Sequence, residues 1–280
     1  MEFKLLKAIL EKHQLWANKS LGQHFLHDEA ICKRMVKHLQ LKEGTVVEIG
    51  PGPGSLTDIL LKEHPKFFLA IEKDQRFIDI LKEFTVPSDT TFEVVQADAL
   101  NTSVAQLLQA KGQHGPYHIV ANLPYNIGTE LLINWIDDIA NIASITVMLQ
   151  KEVVDRMRAK VGGGDYGRLA IILQSCFEVQ ELFRISPQAF IPQPKVFSSV
   201  VYLKPKQNIP STDVIKTLEK LTALAFCYRR KMLRSSLGKS LPSVVWQEIC
   251  DMLKLDETKR PEQIDVQTFI AMANLCNNKI

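Results

Sequence analysis

The chain has 280 residues and a formal net charge of +3 at pH 7, with 46% hydrophobic and 23% charged residues. This composition is ordinary for a soluble globular protein with a sizeable core, and so small a net charge does not by itself indicate a nucleic-acid partner. The five cysteines form no CxxC pair and no apolar run approaches the ~20 residues of a membrane span, which argues against a disulfide scaffold, a zinc or other metal site and a membrane protein.

The N-terminal part of the chain predicts a peripheral helix over residues 2–12, a loop over residues 19–26 and a helix around residues 28–40 that Asp28 caps. The first of these segments is too charged for a signal peptide, so we expect a cytoplasmic protein.

From residue 45 onward, short β-branched runs alternate with stretches of helical spacing. This alternation predicts a parallel, doubly wound α/β sheet. The expected strands cover residues 45–49, 67–71, 92–95, 117–121 and 145–149, and the expected helices cover residues 54–63, 74–83, 102–110 and 128–140.

The next part of the chain predicts a helix over residues 151–160 and a flexible glycine loop over residues 161–167. Periodicity does not decide whether residues 169–174 form a strand or a helix. Two further strands are expected at residues 177–185 and 199–203, with a proline-rich loop between them.

A linker over residues 204–212 is rich in proline, lysine, asparagine and serine, and the tail that follows it has only helical patterns. We therefore expect a larger α/β domain over residues 1–205 and a small all-helical domain over residues 206–280.

A glycine-rich turn predicts a nucleotide-binding site at the end of the first sheet strand. Gly50, Gly52 and Gly54 follow the strand directly and precede a helix, where glycine permits a tight turn and lets a ligand lie against the backbone. Glu72 ends the next strand, 22 residues after Gly50, where a carboxylate can accept both hydroxyls of a ribose. The alternative is an ordinary turn between a strand and a helix.

Three details favour S-adenosylmethionine over NAD as the cofactor, and so disfavour an NAD-dependent dehydrogenase. Pro51 and Pro53 remove two backbone N–H donors that a pyrophosphate would need. Asp98 ends the third strand, where it could accept the adenine amine, although an Asp there is often only a capping residue. Glu48 adds another carboxylate, which suits a cationic sulfonium.

The segment Asn122-Leu123-Pro124-Tyr125 ends a buried apolar strand, and strand ends are where an open α/β sheet places its active site. It combines an amide side chain, free carbonyls, a rigid proline and an aromatic ring. This set suits the binding of a flat base that carries an amine. The alternative is a plain turn after a strand.

The tail contains a basic stretch without any acidic residue from Lys220 to Gln247. Helical spacing predicts that Leu221, Leu224, Tyr228 and Met232 form a buried stripe and leave a basic face outside it. Such a face suits an RNA backbone, although many charged faces are only solvated. The candidate RNA-binding residues are Arg229, Arg230, Lys231 and Arg234.

These motifs together resemble those of the ribosomal RNA adenine dimethyltransferases. The match covers Glu48–Gly54, Glu72, Asp98 and Asn122–Tyr125. It continues, in family order, through residues 20–26, 166–169, 190–200 and 226–237. The proline-rich block and the tail resemble the bacterial small-subunit branch.

The resemblance implies a Rossmann-like class I methyltransferase sheet with helices on both faces. It also implies that the enzyme dimethylates two adjacent adenosines in a hairpin near the 3′ end of 16S rRNA, within the immature small ribosomal subunit. The implied cofactor contacts come from His24, Leu26, Gly50, Gly52, Glu72, Asp98 and Asn122. Position 24 is His here, where the family often has Asn.

For the chemistry, we expect the Asn122 side-chain oxygen and the Leu123 carbonyl to accept the two N–H bonds of the target amine. Pro124 would fix the turn, and Tyr125 would stack on the base together with Phe190. We expect a monomer without a membrane partner. The large-subunit branch, which confers antibiotic resistance, and an assembly factor that acts mainly by binding remain the alternatives.

Overall fold

The computed structural model describes residues 15, 23–277 and 279. The predicted helix over residues 2–12 lies outside them. The chain divides into two compact units: the first contains Met1–Val154 and Gln180–Lys204, and the second contains Asp155–Val179 and Pro205–Ile280. The second unit resumes at Pro205, whereas the sequence analysis places the domain boundary between residues 205 and 206. Residues 155–179, which the sequence analysis placed in the larger domain, belong to the second unit.

The elements of the first unit follow the predicted alternation of strands and helices. Asp28 caps the first helix by accepting hydrogen bonds from the backbone N–H groups of Ala30 and Ile31, as predicted. The strands are β1 (Phe25–Leu26), β2 (Thr45–Ile49), β3 (Phe67–Glu72), β4 (Thr91–Gln96), β5 (Tyr117–Asn122), β6 (Ile142–Gln150), β7 (Phe177–Ile185), β8 (Phe190–Ile191) and β9 (Ser198–Pro205), and the helices are α1 (Glu29–Val36), α2 (Ser55–Lys62), α3 (Gln75–Lys82), α4 (Val104–Ala110) and α5 (Gly128–Asn134).

The main sheet has seven strands in the order β4-β3-β2-β5-β6-β9-β7. The strands from β4 to β6 are parallel, which confirms the predicted α/β sheet. β9 runs antiparallel to β6, so the sheet is mixed rather than wholly parallel. Between β7 and β9 the chain has only a 3-10 turn at Pro187–Ala189 and the short strand β8, and no α-helical crossover of the kind that parallel neighbours need.

Burial explains why these segments form central strands. All six side chains of β3 are buried, and four of the five in β2 are. A parallel strand that is apolar on both sides needs helices on both faces of the sheet, and right-handed crossovers place α2 and α3 on one face and α4 and α5 on the other.

The chain reverses its direction across the sheet between β2 and β5. A crevice forms at such a switch point.

A two-residue antiparallel ladder, which the sequence analysis did not predict, joins β1 to β8. Phe25 pairs with Ile191, and Leu26 pairs with Phe190. The ladder ties the segment before α1 to the proline-rich loop. It therefore fixes the backbone next to His24.

The second unit is helical. α6 (Lys151–Met157) spans the division between the units, and the other helices are α7 (Arg168–Cys176), α8 (Thr212–Cys227), α9 (Leu233–Ser240), α10 (Ser243–Leu253) and α11 (Val266–Cys276). Residues 169–174, which the sequence left open, are helical. Tyr166, Leu218, Leu221, Leu233 and Phe269 lie in the core of this unit. Among the residues that the structure describes, no helix is both long and apolar enough to cross a bilayer.

Candidate active site

A cavity of about 220 Å³ opens in the first unit, at the carboxyl ends of β2, β3, β4 and β5. This is the crevice expected at the switch point of the sheet. Its lining includes all the residues for which the sequence predicts a cofactor contact, together with three residues of the predicted catalytic segment: His24, Leu26, Gly50, Gly52, Glu72, Asp98, Asn122, Leu123, Pro124 and Tyr125.

The glycine turn between β2 and α2 depends on left-handed backbone at Gly50, Gly52 and Gly54, whose φ angles are 65°, 54° and 88°. A side chain at Gly54 would also meet the ring of Phe84, since an added Cβ would lie 2.4 Å from its Cζ. The turn therefore brings bare backbone to the cavity wall.

Two buried carboxylates line the cavity. Glu72 accepts hydrogen bonds from the backbone N–H of Gly52 at 2.9 Å and of Asp74 at 2.8 Å. Burial raises the pKa of Glu72, while these two bonds oppose the shift. Glu48 accepts a hydrogen bond from the Thr57 hydroxyl at 2.7 Å, and burial raises its pKa to about 8.

Asp98 is more exposed than the other two carboxylates and has a structural role as well. One oxygen accepts a hydrogen bond from the Leu100 N–H at 3.1 Å, so Asp98 caps the turn Ala99–Asn101. The other oxygen accepts a hydrogen bond from Lys73 at 2.8 Å, which lowers the pKa of Asp98. Asp98 therefore both caps the turn that follows it and lines the cavity.

The Asn122 side chain is held in one orientation at the end of β5. Its Nδ2 donates to the backbone carbonyl of His24 at 2.9 Å. Its Oδ1 accepts no hydrogen bond from the part of the chain that the structure describes, so this oxygen is available to a ligand.

The backbone carbonyl of Leu123 is also available to a ligand, unlike that of Pro124. The Pro124 carbonyl accepts hydrogen bonds from Ile127 N at 3.2 Å and from Gly128 N at 3.1 Å, because α5 begins there. No described backbone N–H donates to the Leu123 carbonyl. The turn therefore leaves two acceptors, Asn122 Oδ1 and Leu123 O, within one residue of each other.

Tyr125 is held at both its ring and its hydroxyl. The ring stacks against that of His24 with centroids 5.4 Å apart and planes inclined by 27°. The hydroxyl forms a hydrogen bond of 2.6 Å with Ser198 Oγ, and burial raises the Tyr125 pKa. His24 is fixed in turn because its Nδ1 lies 2.7 Å from the Pro192 carbonyl, to which it donates.

The structure does not bring Phe190 to this cavity. Its side chain is 1% exposed and packs in the core of the first unit, and its backbone pairs with Leu26 in the short ladder. In this position Phe190 supports the loop and offers no ring face to a base.

Sequence reasoning did not find the roles of Ser55, Thr57 and Ser198. Ser55 Oγ is buried, lines the cavity and has no partner among the described residues. Thr57 and Ser198 each hold another site residue through a hydroxyl. Of the three, only Ser55 had a signal in the sequence, because it follows the glycine turn directly.

Three of the four candidate RNA-binding residues lie in the turn between α8 and α9, which we call the basic turn: Arg229, Arg230 and Lys231. Arg234 lies in the first turn of α9. α8 ends at Cys227, because Tyr228 adopts φ −125° and ψ 67°, outside the helical region. The predicted buried stripe is wrong at this end, since Tyr228 is 56% and Met232 40% exposed. All four predicted RNA-binding residues are exposed: Arg229, Arg230, Lys231 and Arg234.

Two of these basic residues already have partners within the second unit. The Arg229 guanidinium donates to the carbonyls of Gly164 and Tyr166, so it holds the glycine loop. Lys231 Nζ lies 4.5 Å from the centre of the Tyr228 ring. The tertiary structure also brings an acidic residue to a stretch that lacks them in sequence, because Glu257 accepts a hydrogen bond from Trp246 Nε1 at 3.4 Å.

The described part of the chain contains no group of three or more His, Cys, Asp or Glu side chains arranged to hold a metal ion. His27, three residues from His24, forms a hydrogen bond with the Gln188 carbonyl at 3.0 Å.

The chain is similar in sequence to known proteins over nearly its whole length. The sequence profile of the family described as "Ribosomal RNA adenine dimethylase" matches residues 14–278. A Caulobacter vibrioides protein named "Ribosomal RNA small subunit methyltransferase A" is 45% identical over 258 residues, which cover 92% of this chain and 96% of the relative. A protein of the same name from Rhodospirillum rubrum is 42% identical over 269 residues, which cover 96% and 91%.

Two solved structures share the fold. The dimethyladenosine transferase from Plasmodium falciparum matches with a TM-score of 0.74 and 24% identity, over 91% of this chain and 98% of that one. The 23S rRNA methyltransferase ErmE matches with a TM-score of 0.64 and 22% identity, over 90% and 98%. At such identities the likeness concerns the fold alone.

Proposed function

The chain belongs to the ribosomal RNA adenine dimethylase family, and from this premise we propose that it dimethylates two adjacent adenosines in a hairpin near the 3′ end of 16S rRNA. The methyl groups come from S-adenosylmethionine. The observation that supports this function best is the pair of free acceptors, Asn122 Oδ1 and Leu123 O, beside a cavity with buried carboxyl groups. Both relatives described above carry the small-subunit name, which favours 16S over 23S rRNA as the substrate.

The cavity fits the cofactor by the chemistry of its donors and acceptors. Glu72 lies where a carboxylate can accept the ribose hydroxyls, and Asp98 lies at the next strand end for the adenine amine. The backbone at Gly50 and Gly52 allows close approach, and Glu48 provides a further carboxyl group. When bound, the cofactor supplies an electrophilic methyl group on a cationic sulfur.

The protein's part in the chemistry is to orient the nucleophile. The lone pair of an adenine exocyclic amine is delocalised into the ring, so the nitrogen attacks a methyl carbon only when it becomes pyramidal. Asn122 Oδ1 and Leu123 O each accept one N–H bond and so favour the pyramidal form. The bond from Asn122 Nδ2 to the His24 carbonyl aims Oδ1, and alignment of this kind supplies much of the rate.

Tyr125 provides the surface on which the target base stacks. One face of its ring is covered by His24, so the base occupies the opposite face. Its hydroxyl is tied to Ser198, which keeps the far end of the ring from swinging away from the site. Because a base inside a helix is inaccessible, the adenosine leaves its stack to reach this ring.

The second unit supplies contacts to the RNA backbone. Arg230 and Arg234 are exposed, and no ion pair of theirs occurs among the described residues. Lys231 lies beside them on the ring of Tyr228, and a basic cluster of this kind attracts phosphate. Arg229 contributes by holding the glycine loop.

The substrate form and the state of the protein belong to the same proposal. We assign the immature small ribosomal subunit in the cytoplasm as the substrate, and a monomer as the acting form. The supporting argument is that the candidate site is assembled from residues of a single chain.

The test is the transfer of radiolabelled methyl from S-adenosylmethionine to small ribosomal subunits that lack the two modified adenosines. Large subunits and naked RNA serve as controls. We expect label only on the small subunit, at about four methyl groups per particle, because each of two amines takes two. Label on the large subunit would assign the protein to the other branch. Tight binding without transfer would indicate an assembly factor instead.

A further inference from the structure

Phe197 is an exposed aromatic residue directly before Ser198, which holds Tyr125 of the proposed base-binding site. Its side chain is 55% exposed, whereas the other phenylalanines that the structure describes are buried or only partly exposed. Single exposed apolar residues are common on protein surfaces, so the location of this ring decides whether it has a role. The loop that carries Phe197 also presents the exposed Lys195.

The backbone at Phe197 is fixed on both sides. Its carbonyl accepts a hydrogen bond from the Lys151 N–H at 2.9 Å. The next residue, Ser198, begins β9, is fully buried and pairs with Gln150 of β6. The exposure of the ring is therefore a property of an anchored strand end.

The same anchor connects Phe197 to the reaction site. Ser198 Oγ forms the 2.6 Å hydrogen bond with the Tyr125 hydroxyl, and Tyr125 lines the cavity. Consecutive Cα atoms are about 3.8 Å apart, so the backbone of Phe197 lies one residue from the group that holds the Tyr125 hydroxyl.

We propose that Phe197 stacks on the nucleobase that flanks the extruded adenosine, as a substrate-positioning residue; this rests on the proposed function. When an adenosine leaves the helix, its neighbour loses a stacking partner and exposes one π face. An aromatic ring next to the site replaces that partner, and it does so for any base. Lys195, two residues earlier, lies where it can approach a phosphate of the same strand.

The first experiment compares three variants. Phe197→Ala removes the ring, Phe197→Trp keeps an aromatic face, and Val196→Ala is a matched control because Val196 is also an exposed apolar residue, at 39%. We measure the Kd for the target hairpin at low salt, KM and kcat on small subunits, and the Kd for S-adenosylmethionine.

We expect Phe197→Ala to weaken hairpin binding by about 5- to 150-fold, as the loss of one stacked base does, and to raise KM more than it lowers kcat. Phe197→Trp should restore binding. Val196→Ala and the affinity for S-adenosylmethionine should stay near the unmodified values. An unchanged hairpin Kd in Phe197→Ala would overturn the inference.

A second experiment tests the partner of the ring directly. The hairpin is made with an abasic site in place of each flanking base in turn. The unmodified protein should lose affinity for one of these RNAs, and Phe197→Ala should lose nothing more on the same RNA, because the two changes remove one interaction. Additive losses would show that Phe197 does not contact that base.

The controls separate this inference from the proposed function. If the unmodified protein methylates small subunits while Phe197→Ala binds and reacts normally, only the role of Phe197 fails. If the unmodified protein transfers no methyl group, the proposed function fails. A loss seen with whole subunits but not with the hairpin would indicate a ribosomal protein as the contact and would also overturn the proposal.

Discussion

At the scale of single residues, the site depends on side chains held in one orientation by others. Asn122 is aimed by the carbonyl of His24, and Tyr125 is held by the His24 ring and by Ser198. His24 thus supports both residues to which we assign contact with the target base. The Asn that the family often has at this position could not provide the same ring stacking.

Asn122→Ala should lower kcat for methyl transfer by at least about 100-fold, as expected for the loss of a preorganised group that contacts the reacting atom. RNA affinity should stay within about twofold, because the phosphate contacts are elsewhere. Single-turnover transfer to small subunits and hairpin binding provide the two readouts. A near-normal rate in this variant would show that its amide is not part of the reaction.

Glu48 should make the stability of the cofactor-free protein depend on pH. Its pKa is raised by burial from 4.5 to about 8, so the folded state binds more protons than the unfolded state between these values. The free energy of unfolding should therefore fall as pH rises through this window, by up to about 1.4 kcal/mol per pH unit from this group.

The measurement is urea denaturation from pH 5 to pH 9 for the unmodified protein and for Glu48→Gln, which keeps the shape of the side chain and an acceptor for Thr57. The difference between the two proteins isolates the contribution of Glu48. A constant difference across the range would mean that Glu48 ionises normally.

At the scale of elements, the glycine turn and the short ladder bring separate strand ends to one cavity. The turn presents the backbone of Gly52, whose N–H is held by Glu72 from the neighbouring strand. The ladder between β1 and β8 fixes the segment that carries His24 and Leu26. The turn and the ladder each connect residues that are distant in sequence.

Gly54→Ala should disrupt the turn more than backbone strain alone would. The alanine would have to adopt φ 88°, and its Cβ would lie 2.4 Å from Phe84 Cζ. At Gly112, with φ 70°, an added Cβ would have no atom within 4 Å. We expect Gly112→Ala to cost about 1 kcal/mol of stability, and Gly54→Ala to cost more and to weaken S-adenosylmethionine binding at least tenfold. Thermal unfolding and calorimetric titration measure both. Equal effects of the two variants would show that the ring of Phe84 yields freely.

At the scale of the whole molecule, the chain combines an α/β unit that holds the cavity with a helical unit that carries the basic turn. Each unit has its own apolar core. In the function we propose, the first unit performs the chemistry and the second supplies much of the electrostatic attraction for RNA.

Arg230→Ala should weaken RNA binding and lower the slope of log Kd against log salt by about 0.7 to 0.9, as expected for the loss of one phosphate contact. Lys216→Ala is the matched control, because Lys216 is exposed on α8 but lies 14 residues away along the chain. Binding of the hairpin at four salt concentrations gives both slopes. If both variants reduce the slope equally, the attraction comes from net charge and not from the basic turn.

The sequence by itself determined the order of strands and helices in the first unit. The periods of apolar residues are local, so the positions of β2, β3 and β5 follow from neighbouring residues. It also located residues that line the cavity, since glycines and acidic residues at strand ends of a parallel sheet meet at one edge. The family resemblance added the roles of these residues.

Only the tertiary structure decided which side chains meet. Phe190 matches the family motif, but whether it is buried depends on contacts with distant strands, and it lies in the core. Tyr228 and Met232 continue a helical pattern, yet the helix ends before them because of a turn that periodicity does not show. Likewise, the links between His24 and Asn122 and between Ser198 and Tyr125 span 98 and 73 residues. Local patterns hold no information on such pairs, because chain folding alone brings them into contact.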